Sequence, residues 1–313
     1  MRLYQAYTGN PFFLKLSLNH LLNYYSKKDI YLIGDESNSK LGAWNHYIAK
    51  KNTEFNQRLK KNYVHLSTNS EKFEYQCLER WIDIYEHVNI TKYSGPIVHT
   101  DSDTYLNCRI DGLTLQKYDL ANVGLTGPQF LYFKNKSVLK RFIEFFLEFY
   151  EDSNKTTTIK DFFKSKVSDL PWHGGNVCDM HFLGLFSLSL KERYSDFNSI
   201  FTNGYFEVHI GELEGFKRNP YFGIKQVFKS ISGVPFGFKN GVKVALLGQH
   251  FVGNLKVFMW DFCTKSERKV INLNNKIKIF KTKTKYFFEY QIEKIKNRIK
   301  KQVPKIKRLK IFF

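Results

Sequence analysis

RLYQAYTGNPFFLKLSLNHLLNYYSKKDIYLIG, residues 2–34, is the stretch that decides the fold. Residues 2–7 predict a first strand, residues 12–25 have apolar side chains at helical spacing, and residues 29–34 predict a second short apolar strand. A strand–helix–strand order at this point favours a sheet with helices wound on both of its faces. The sequence therefore predicts an α/β fold with a doubly wound sheet.

The remaining elements can be predicted from periodicity and turn residues. We expect a strand near residues 62–66, a long amphipathic helix at 71–88, a strand within 95–106, helices at 136–150 and 176–190, and strands alternating with turns over 205–247. The sequence has no internal repeat and no Pro/Ser-rich linker. One compact domain over residues 1–273, followed by a tail over residues 274–313, is the simplest prediction.

The composition excludes several classes of protein. A hydrophobic content of 42%, with 30 Phe, 19 Tyr and 4 Trp, excludes a disordered chain. No apolar run approaches the 18 residues of a membrane-spanning helix, and the first residues lack the pattern of a secretory signal. Four scattered cysteines without a C-x-x-C pair argue against a zinc or disulfide scaffold and predict a reducing, cytoplasmic setting.

The net charge is +20 and is unevenly distributed. Residues 274–313 contain 12 Lys and 2 Arg against 2 Glu, a net charge of +12, and the other 273 residues carry +8. A basic chain indicates an anionic partner, which is a nucleic acid, a membrane lipid or a phosphorylated substrate. The tail and the domain therefore need separate interpretations.

The tail predicts a basic amphipathic helix. Its apolar side chains recur at steps of three and four: Phe288, Ile292, Ile295, Ile299, Val303, Ile306 and Leu309. Lysines and arginines fill the rest of the circumference, and Pro304 is expected to kink or break the helix. We expect peripheral attachment to the anionic inner face of a membrane, and the alternative is a helix docked on the protein's own core. Nucleic acid is not expected, because the aromatic residues of the tail are not interleaved as a stacking platform.

The first candidate site is the D-x-D of Asp101 and Asp103, directly after a predicted buried strand. Open α/β sheets bind ligands beyond the carboxyl ends of their strands. Two carboxylates that converge there can hold a hard cation and leave positions open for a diphosphate. The alternative is a polar turn that ends the strand.

The second candidate site is H-x-x-G-x-x-K, formed by His250, Gly253 and Lys256. An imidazole can complete a metal site, and a glycine turn followed by a lysine can hold a phosphate. The alternative is an ordinary surface turn.

Together these motifs resemble those of GT-A-fold glycosyltransferases, nearest to the retaining glycosyltransferase family 8 and its bacterial relatives. The resemblance implies a GT-A-like doubly wound mixed sheet with a Rossmann-like nucleotide-binding half. It implies that Asp101, Asp103 and His250 hold Mn²⁺ or Mg²⁺, with Ser102 between the aspartates at the nucleotide. It also implies that Gly253 and Lys256 contact the diphosphate of a nucleotide-sugar donor.

The same resemblance implies further site residues. Arg80 matches an arginine that reaches the donor sugar, and its alternative is a surface pair with Glu79 or Asp83. Asp179 matches an aspartate on the reacting face of the sugar, and its alternative is a helix N-cap. The loop after the first strand is implied to hold the nucleobase, through Tyr7, Thr8, Gly9 and Asn10.

The resemblance implies a metal-dependent hexosyltransferase with Arg80 and Asp179 at the reacting sugar. It would move a sugar from a nucleotide-sugar donor, a UDP-sugar being favoured, to a hydroxyl of a glycan or lipid-linked acceptor. The expected outcome is retention, in surface polysaccharide or lipopolysaccharide biosynthesis. Two alternatives are open: a sugar nucleotidyltransferase, or a non-catalytic protein that binds membrane or nucleic acid through its basic tail.

Overall fold

The computed structural model describes residues 1–42, 44–110, 112–152, 154, 157, 177–229, 233–263, 268–269 and 271–309. Of residues 112–113 and 298–309 it describes the backbone alone.

The elements follow one another in a mixed order. The strands are β1 (Arg2–Ala6), β2 (Ile30–Gly34), β3 (Asn45–Ile48), β4 (Ile97–Thr100), β5 (Thr104–Leu106), β6 (Leu120–Val123), β7 (Gly127–Phe133), β8 (Tyr194–Asp196), β9 (Gly204–Phe206), β10 (Phe236–Lys239) and β11 (Val242–His250). The α-helices are α1 (Phe12–Leu21), α2 (Glu54–Asn62), α3 (Glu71–Ile90), α4 (Gly112–Leu115), α5 (Lys136–Glu151), α6 (Asp179–Ser189), α7 (Phe197–Ile200), α8 (Met259–Phe262) and α9 (Leu273–Leu309). Short 3₁₀ helices are Lys27–Asp29, Lys191–Arg193 and Gly253–Phe258.

A seven-stranded mixed sheet forms the centre, in the order β3-β2-β1-β4-β7-β6-β8. β3, β2, β1 and β4 are parallel neighbours, β7 is antiparallel to both β4 and β6, and β8 is parallel to β6. The prediction of an α/β fold with a mixed sheet is therefore confirmed. Because β1, β2 and β4 are parallel, their carboxyl ends lie at the same edge of the sheet.

Both faces of this sheet are covered by apolar side chains. Leu3 of β1 and Val98 of β4 belong to one buried cluster, which includes side chains of α1. Their neighbours Tyr4 and Ile97 belong to the other cluster, which includes side chains of α3, α5 and α6. A strand buried on both faces can be apolar throughout instead of alternating, as β2 is, with the sequence IYLIG.

A smaller sheet brings the second motif to the first. It has the order β10-β11-β5, and β9 also pairs with β11. β5 begins at Thr104, directly after the D-x-D, and its antiparallel partner β11 pairs His250 with Thr104. The backbone N–H of Phe251 also donates to the carbonyl of Asp103, at 2.9 Å. This pairing sets His250 beside Asp103, although 146 residues separate them in sequence.

Several elements differ from the predictions. The strand predicted at 62–66 is wrong, because α2 ends at Asn62 and no strand follows there. Four strands of the central sheet, β3, β6, β7 and β8, and the helix α2 were not predicted. The first helix ends at Leu21 instead of residue 25. Between β9 and β10, the described residues form turns and isolated bridges where strands were expected.

The C-terminal helix α9 packs against the domain through one face. Ile279 is only 3% exposed, and the rings of Tyr286 and Phe258 lie 5.6 Å apart. Lys283 pairs with Asp261 at 2.5 Å. The alternative of a helix docked on the protein's own core is therefore correct for the first half of α9, which carries these three residues. The division at residue 273 stays a prediction.

The expected break at Pro304 is absent, because helical backbone continues to Leu309. A proline removes one backbone hydrogen bond, which a long helix can accommodate by bending without ending. No described helix combines the length and apolar character that are needed to cross a membrane.

Candidate active site

Asp101 lies just beyond the carboxyl end of β4, where a guanidinium group and an imidazole ring contact its carboxylate. Its Oδ1 accepts a hydrogen bond from Nη1 of Arg80 at 2.7 Å, and Nε2 of His99 lies 3.2 Å from the same oxygen. Burial by itself would raise the pKa of the Asp101 carboxyl. Arg80, and after it His99, outweigh burial and hold that pKa well below its usual range. Asp101 is therefore ionised and aimed into the site.

Asp103 divides its two carboxylate oxygens between residues of the second motif. Oδ1 lies 3.5 Å from Nε2 of His250, and Oδ2 lies 3.0 Å from Nζ of Lys256. Burial opposes ionisation, but His250 and Lys256 lower the pKa of the Asp103 carboxyl below its ordinary value. The two motifs are thus joined into one site.

His250 is oriented by a backbone carbonyl. Its Nδ1 lies 2.7 Å from the carbonyl oxygen of Val208, so Nδ1 is the protonated nitrogen that donates this bond. Burial lowers the pKa of the imidazole, but Asp103 outweighs it, and the pKa is raised. A histidine whose other nitrogen is fixed by a carbonyl is the usual arrangement of a metal ligand, and here Nε2 faces Asp103.

These three residues can hold a divalent cation. One ligand atom each of Asp101, Asp103 and His250 lies within 4.8 Å of the others. Two carboxylate oxygens and one imidazole nitrogen suit Mn²⁺, and the oxygens alone suit Mg²⁺. The residues present therefore fit the predicted metal, and three protein ligands leave positions for a substrate.

Arg80 connects the metal-ligand cluster to Asp179. Its Nη2 donates to Oδ2 of Asp179 at 2.6 Å, and Nε1 of Trp81 lies 3.3 Å from that oxygen. Glu79 and Asp83, the alternative partners of Arg80, pair with Lys51 instead. Asp179 is the first residue of α6 and not its N-cap, which is Cys178. The structure therefore brings Arg80, Asp101 and Asp179 together.

The loop after β1 lies beside Lys256. The Tyr7 ring packs edge-on against Phe13 at 5.6 Å, and Nζ of Lys256 lies 4.4 Å from the centre of the same Phe13 ring. Gly9 has φ +93°, a conformation that other residues rarely adopt. Thr8 and Asn10 are exposed.

Two further predicted residues border the cluster. Gly253 has φ +59°, and a Cβ at this position would meet no atom within 4 Å, so its backbone is accessible. Ser102 is buried, and no described contact connects its hydroxyl to the cluster.

Several residues around the site were not predicted. Burial raises the pKa of the Glu207 carboxyl to about 7, although Lys225, 3.5 Å away, opposes this. Lys225 is also fully buried and donates to the carbonyl of His209 at 2.9 Å. His99 could have been predicted to lie beside Asp101, because side chains two residues apart on an extended chain share a face. Glu207 and Lys225 could not, because only the tertiary fold brings them behind His250.

No protein-family model and no curated protein matches the chain. Among solved structures it is similar to the galactosyltransferase LgtC in complex with donor and acceptor sugar analogues, with 11% identity, 87% of this chain and 100% of that chain covered, and a TM-score of 0.41. It is also similar to mouse xyloside xylosyltransferase 1 in its apo form, with 10% identity, 62% and 84% coverage and a TM-score of 0.39. The glycosyltransferase GlyE of Streptococcus pneumoniae aligns with 14% identity, 63% and 45% coverage and a TM-score of 0.28. These structures belong to glycosyltransferases, the class that the sequence motifs resemble, but the similarity is too low to carry the function, which rests on the side chains of the site.

Proposed function

We propose that this protein is a metal-dependent glycosyltransferase that uses a nucleotide-sugar donor. The observation that carries the proposal is the convergence of Asp101, Asp103 and His250, whose ligand atoms lie within 4.8 Å of one another, with Lys256 beside them. A cation held by few protein ligands at the edge of an α/β sheet suits a diphosphate. When bound, Mn²⁺ or Mg²⁺ would neutralise charge on the diphosphate of the donor.

Lys256 supplies a second positive charge for that diphosphate. Its Nζ, 3.0 Å from Asp103, can exchange the carboxylate for a phosphate oxygen as the donor binds. Charge grows on the nucleoside diphosphate as it leaves, so a fixed ammonium there lowers the barrier. Gly253, with its accessible backbone, gives a phosphate room to approach.

Arg80 and Asp179 are proposed to act at the donor sugar. Arg80 and Trp81 both donate hydrogen bonds to the Asp179 carboxylate and fix its position. The Asp179 side chain is only 5% exposed, so it is shielded from water. Retention is proposed as the outcome, because it needs no strong general base. Asp179 would stabilise positive charge on the reacting sugar carbon. Tyr7, Thr8, Gly9 and Asn10 would hold the nucleobase, with uracil favoured, and Ser102 would lie at the nucleotide.

The acceptor is proposed to be a hydroxyl of a glycan or lipid-linked glycan in surface polysaccharide or lipopolysaccharide biosynthesis. The support for a lipid-linked acceptor is the second face of α9. Its exposed apolar side chains form one stripe: Leu273, Ile277, Phe280, Phe288, Ile292 and Ile295. At 3.6 residues per turn, Ile277 lies about 160° from the docked Ile279 around the helix axis. The stripe is therefore distinct from the docked face.

Lysines border this stripe on both sides. Lys278 and Lys285 are exposed along one side, and Lys276 is exposed along the other. This is the arrangement of a helix that lies in a membrane interface, with apolar side chains among the acyl chains and lysines on anionic headgroups. We propose that α9 attaches the protein to the anionic, cytoplasmic face of a membrane.

A donor panel tests the enzymatic proposal. Purified protein is incubated with UDP-, GDP- and CMP-sugars and Mn²⁺, and the released nucleotide is measured with and without EDTA. We expect metal-dependent release of UDP, abolished in Asp103→Asn. Release of pyrophosphate from UTP and a sugar 1-phosphate would instead identify a nucleotidyltransferase. If no nucleotide or nucleotide sugar binds, the enzyme proposal fails.

Vesicle sedimentation tests the attachment. The wild type should bind vesicles that contain phosphatidylglycerol and not vesicles of phosphatidylcholine alone, and binding should weaken as salt is added. Phe280→Ser with Ile295→Ser should weaken binding at least about 10-fold, since each side chain loses burial in the membrane. Phe73→Ser is the matched control, because Phe73 is 53% exposed on α3. Equal binding by the wild type and the double variant would contradict the proposal.

A further inference from the structure

The loop over residues 7–10 is held by a buried side chain outside the predicted site. Asn38 follows β2 and is 0% exposed. Its Nδ2 donates to the carbonyl of Tyr7 at 2.7 Å and to the carbonyl of Gly9 at 2.9 Å. One amide group therefore fixes both ends of a three-residue backbone segment.

The carbonyl oxygen of the same amide also accepts two hydrogen bonds. Oδ1 of Asn38 accepts from the backbone N–H of Asp35 at 3.0 Å and from Nε2 of His46 at 2.8 Å. An amide has two donor hydrogens and two acceptor lone pairs, and here all four have partners. The two carbonyls at Nδ2 leave no choice in the orientation of the amide, so Nε2 of His46 must be the protonated nitrogen.

The surrounding backbone is adapted to this side chain. A Cβ at Gly34 would lie 2.0 Å from Oδ1 of Asn38, so the position has no room for a side chain. Asp35 adds a second tie, because its Oδ2 accepts from the backbone N–H of Gly9 at 2.9 Å. Gly9 is thus held through both its N–H and its carbonyl.

This segment lies beside Lys256, which pairs with Asp103 of the candidate cation site. Tyr7 packs against Phe13, and Lys256 lies over the same ring. A loop that is already ordered needs to lose little conformational freedom when a ligand binds, and the ligand then binds more tightly.

We propose that Asn38 is a positioning residue that presets the loop of Tyr7, Thr8 and Gly9 for the nucleoside of the donor. His46 orients its amide, and Asp35 holds the Gly9 N–H. The inference rests on the proposed nucleotide-sugar function and adds to it the residue that sets donor affinity without touching the donor.

Asn38→Asp is the direct test, because it keeps the shape and replaces two donor hydrogens with an oxygen that faces two carbonyls. KM for the UDP-sugar and Kd for UDP with Mn²⁺ should rise at least 10-fold, while kcat falls less than 3-fold and Kd for Mn²⁺ alone is unchanged. Asn45→Asp, at an exposed asparagine, is the control for the chemical change itself. Asn45 of β3 also donates to two backbone carbonyls, those of Lys27 and Ile30, each at 3.1 Å, at the other end of β2.

A structural role alone would lower the melting temperature and the active fraction of Asn38→Asp and leave its KM unchanged. That outcome, or a KM within 2-fold of the wild type, overturns the inference. If Asn38→Asp does not fold, His46→Ala replaces it: KM should rise at least 3-fold, and His46→Gln, which retains a side-chain N–H, should restore it. If the wild type binds no nucleotide, the proposed function is wrong, and this inference with it. If the wild type binds UDP and Asn38→Asp binds it equally tightly, only the inference is wrong.

Discussion

Asp103 has two roles that compete with each other. It is a candidate cation ligand, and its Oδ2 also pairs with Lys256 at 3.0 Å. A cation and the lysine ammonium both stabilise the same ionised carboxylate. Lys256 is therefore expected to oppose cation binding and to favour diphosphate binding, and these two effects can be separated by removing the ammonium.

Lys256→Met should leave the Kd for Mn²⁺ unchanged or lower it. The same change should raise the Kd for UDP in saturating Mn²⁺ by about 10- to 100-fold, the cost of one charge-assisted hydrogen bond. Isothermal titration calorimetry measures both constants. Lys243→Met, at an exposed lysine of β11, is the control. Loss of Mn²⁺ binding with unchanged UDP binding would contradict the assignment of Lys256.

Glu207 should make folding stability depend on pH. Its pKa in the folded protein is raised to about 7, mainly by burial, from 4.5. A raised pKa means that the folded state prefers the protonated carboxyl, so stability is greatest below pH 4.5 and is lost as the pH rises through 7. The expected loss is on the order of 3 kcal/mol.

Urea unfolding of the wild type and Glu207→Gln at pH 5 and pH 8 measures this loss. The difference in free energy of unfolding between the two proteins should shift in favour of Glu207→Gln at pH 8. Glu212→Gln, at an exposed glutamate, should show no such shift. A constant difference between the two pH values would mean that Glu207 ionises normally.

At the scale of elements, periodicity located the longer helices α3 and α5 but not the fully buried strands β6 and β7, which have no alternating pattern. α3 presents Leu78, Trp81 and Val88 to the core, and its N-cap Ser70 accepts from the N–H of Phe73. β3 could not be found in this way, because its four residues NHYI contain no buried residue. The NYVHL segment has strand-forming residues, but its Tyr63 ring packs against Tyr75 and Tyr150 after α2 ends.

From spacing alone the site was predictable as two separate motifs, and only the resemblance to a known family implied that they form one site. Each motif is local, and general chemistry identifies its residues as candidates for a cation and a phosphate. Their meeting depends on the pairing of His250 with Thr104, and the Arg80–Asp179 pair depends on the packing of α3 against α6. Such long-range contacts leave no signature in the spacing of a single sequence.

The two faces of α9 should respond differently to the same substitution. Ile279→Ala should lower the free energy of unfolding by about 2 kcal/mol or more, because it leaves a cavity against the domain. Ile277→Ala, at a side chain of the stripe that is 46% exposed, should change it by no more than about 0.5 kcal/mol. Urea unfolding in the absence of lipid measures both. Equal effects would mean that α9 is not docked through the face that carries Ile279.

At the scale of the whole molecule, the positive charge is divided between two regions. The +12 of residues 274–313 lies mainly on a helix with an exposed apolar stripe, which favours an anionic membrane over a nucleic acid. In the domain, Arg80 and Lys256 already face carboxylates of the site, so part of its positive charge is committed there. The net charge alone indicates an anionic partner. Only the distribution of the charge distinguishes the two proposed partners, a membrane surface for the tail and a diphosphate for the domain.

The central claim is that Asp101, Asp103 and His250 form one divalent-cation site for a nucleotide sugar. Titration of Mn²⁺ followed by electron paramagnetic resonance tests it most directly. We predict one bound Mn²⁺ per chain, held more tightly when UDP is present, and at least about 10-fold weaker binding in His250→Ala and Asp103→Asn. Asp29→Asn, just before β2 at the opposite edge of the sheet, should bind like the wild type. Equal Mn²⁺ binding by all four proteins, or a UDP affinity that is indifferent to Mn²⁺, would contradict the account.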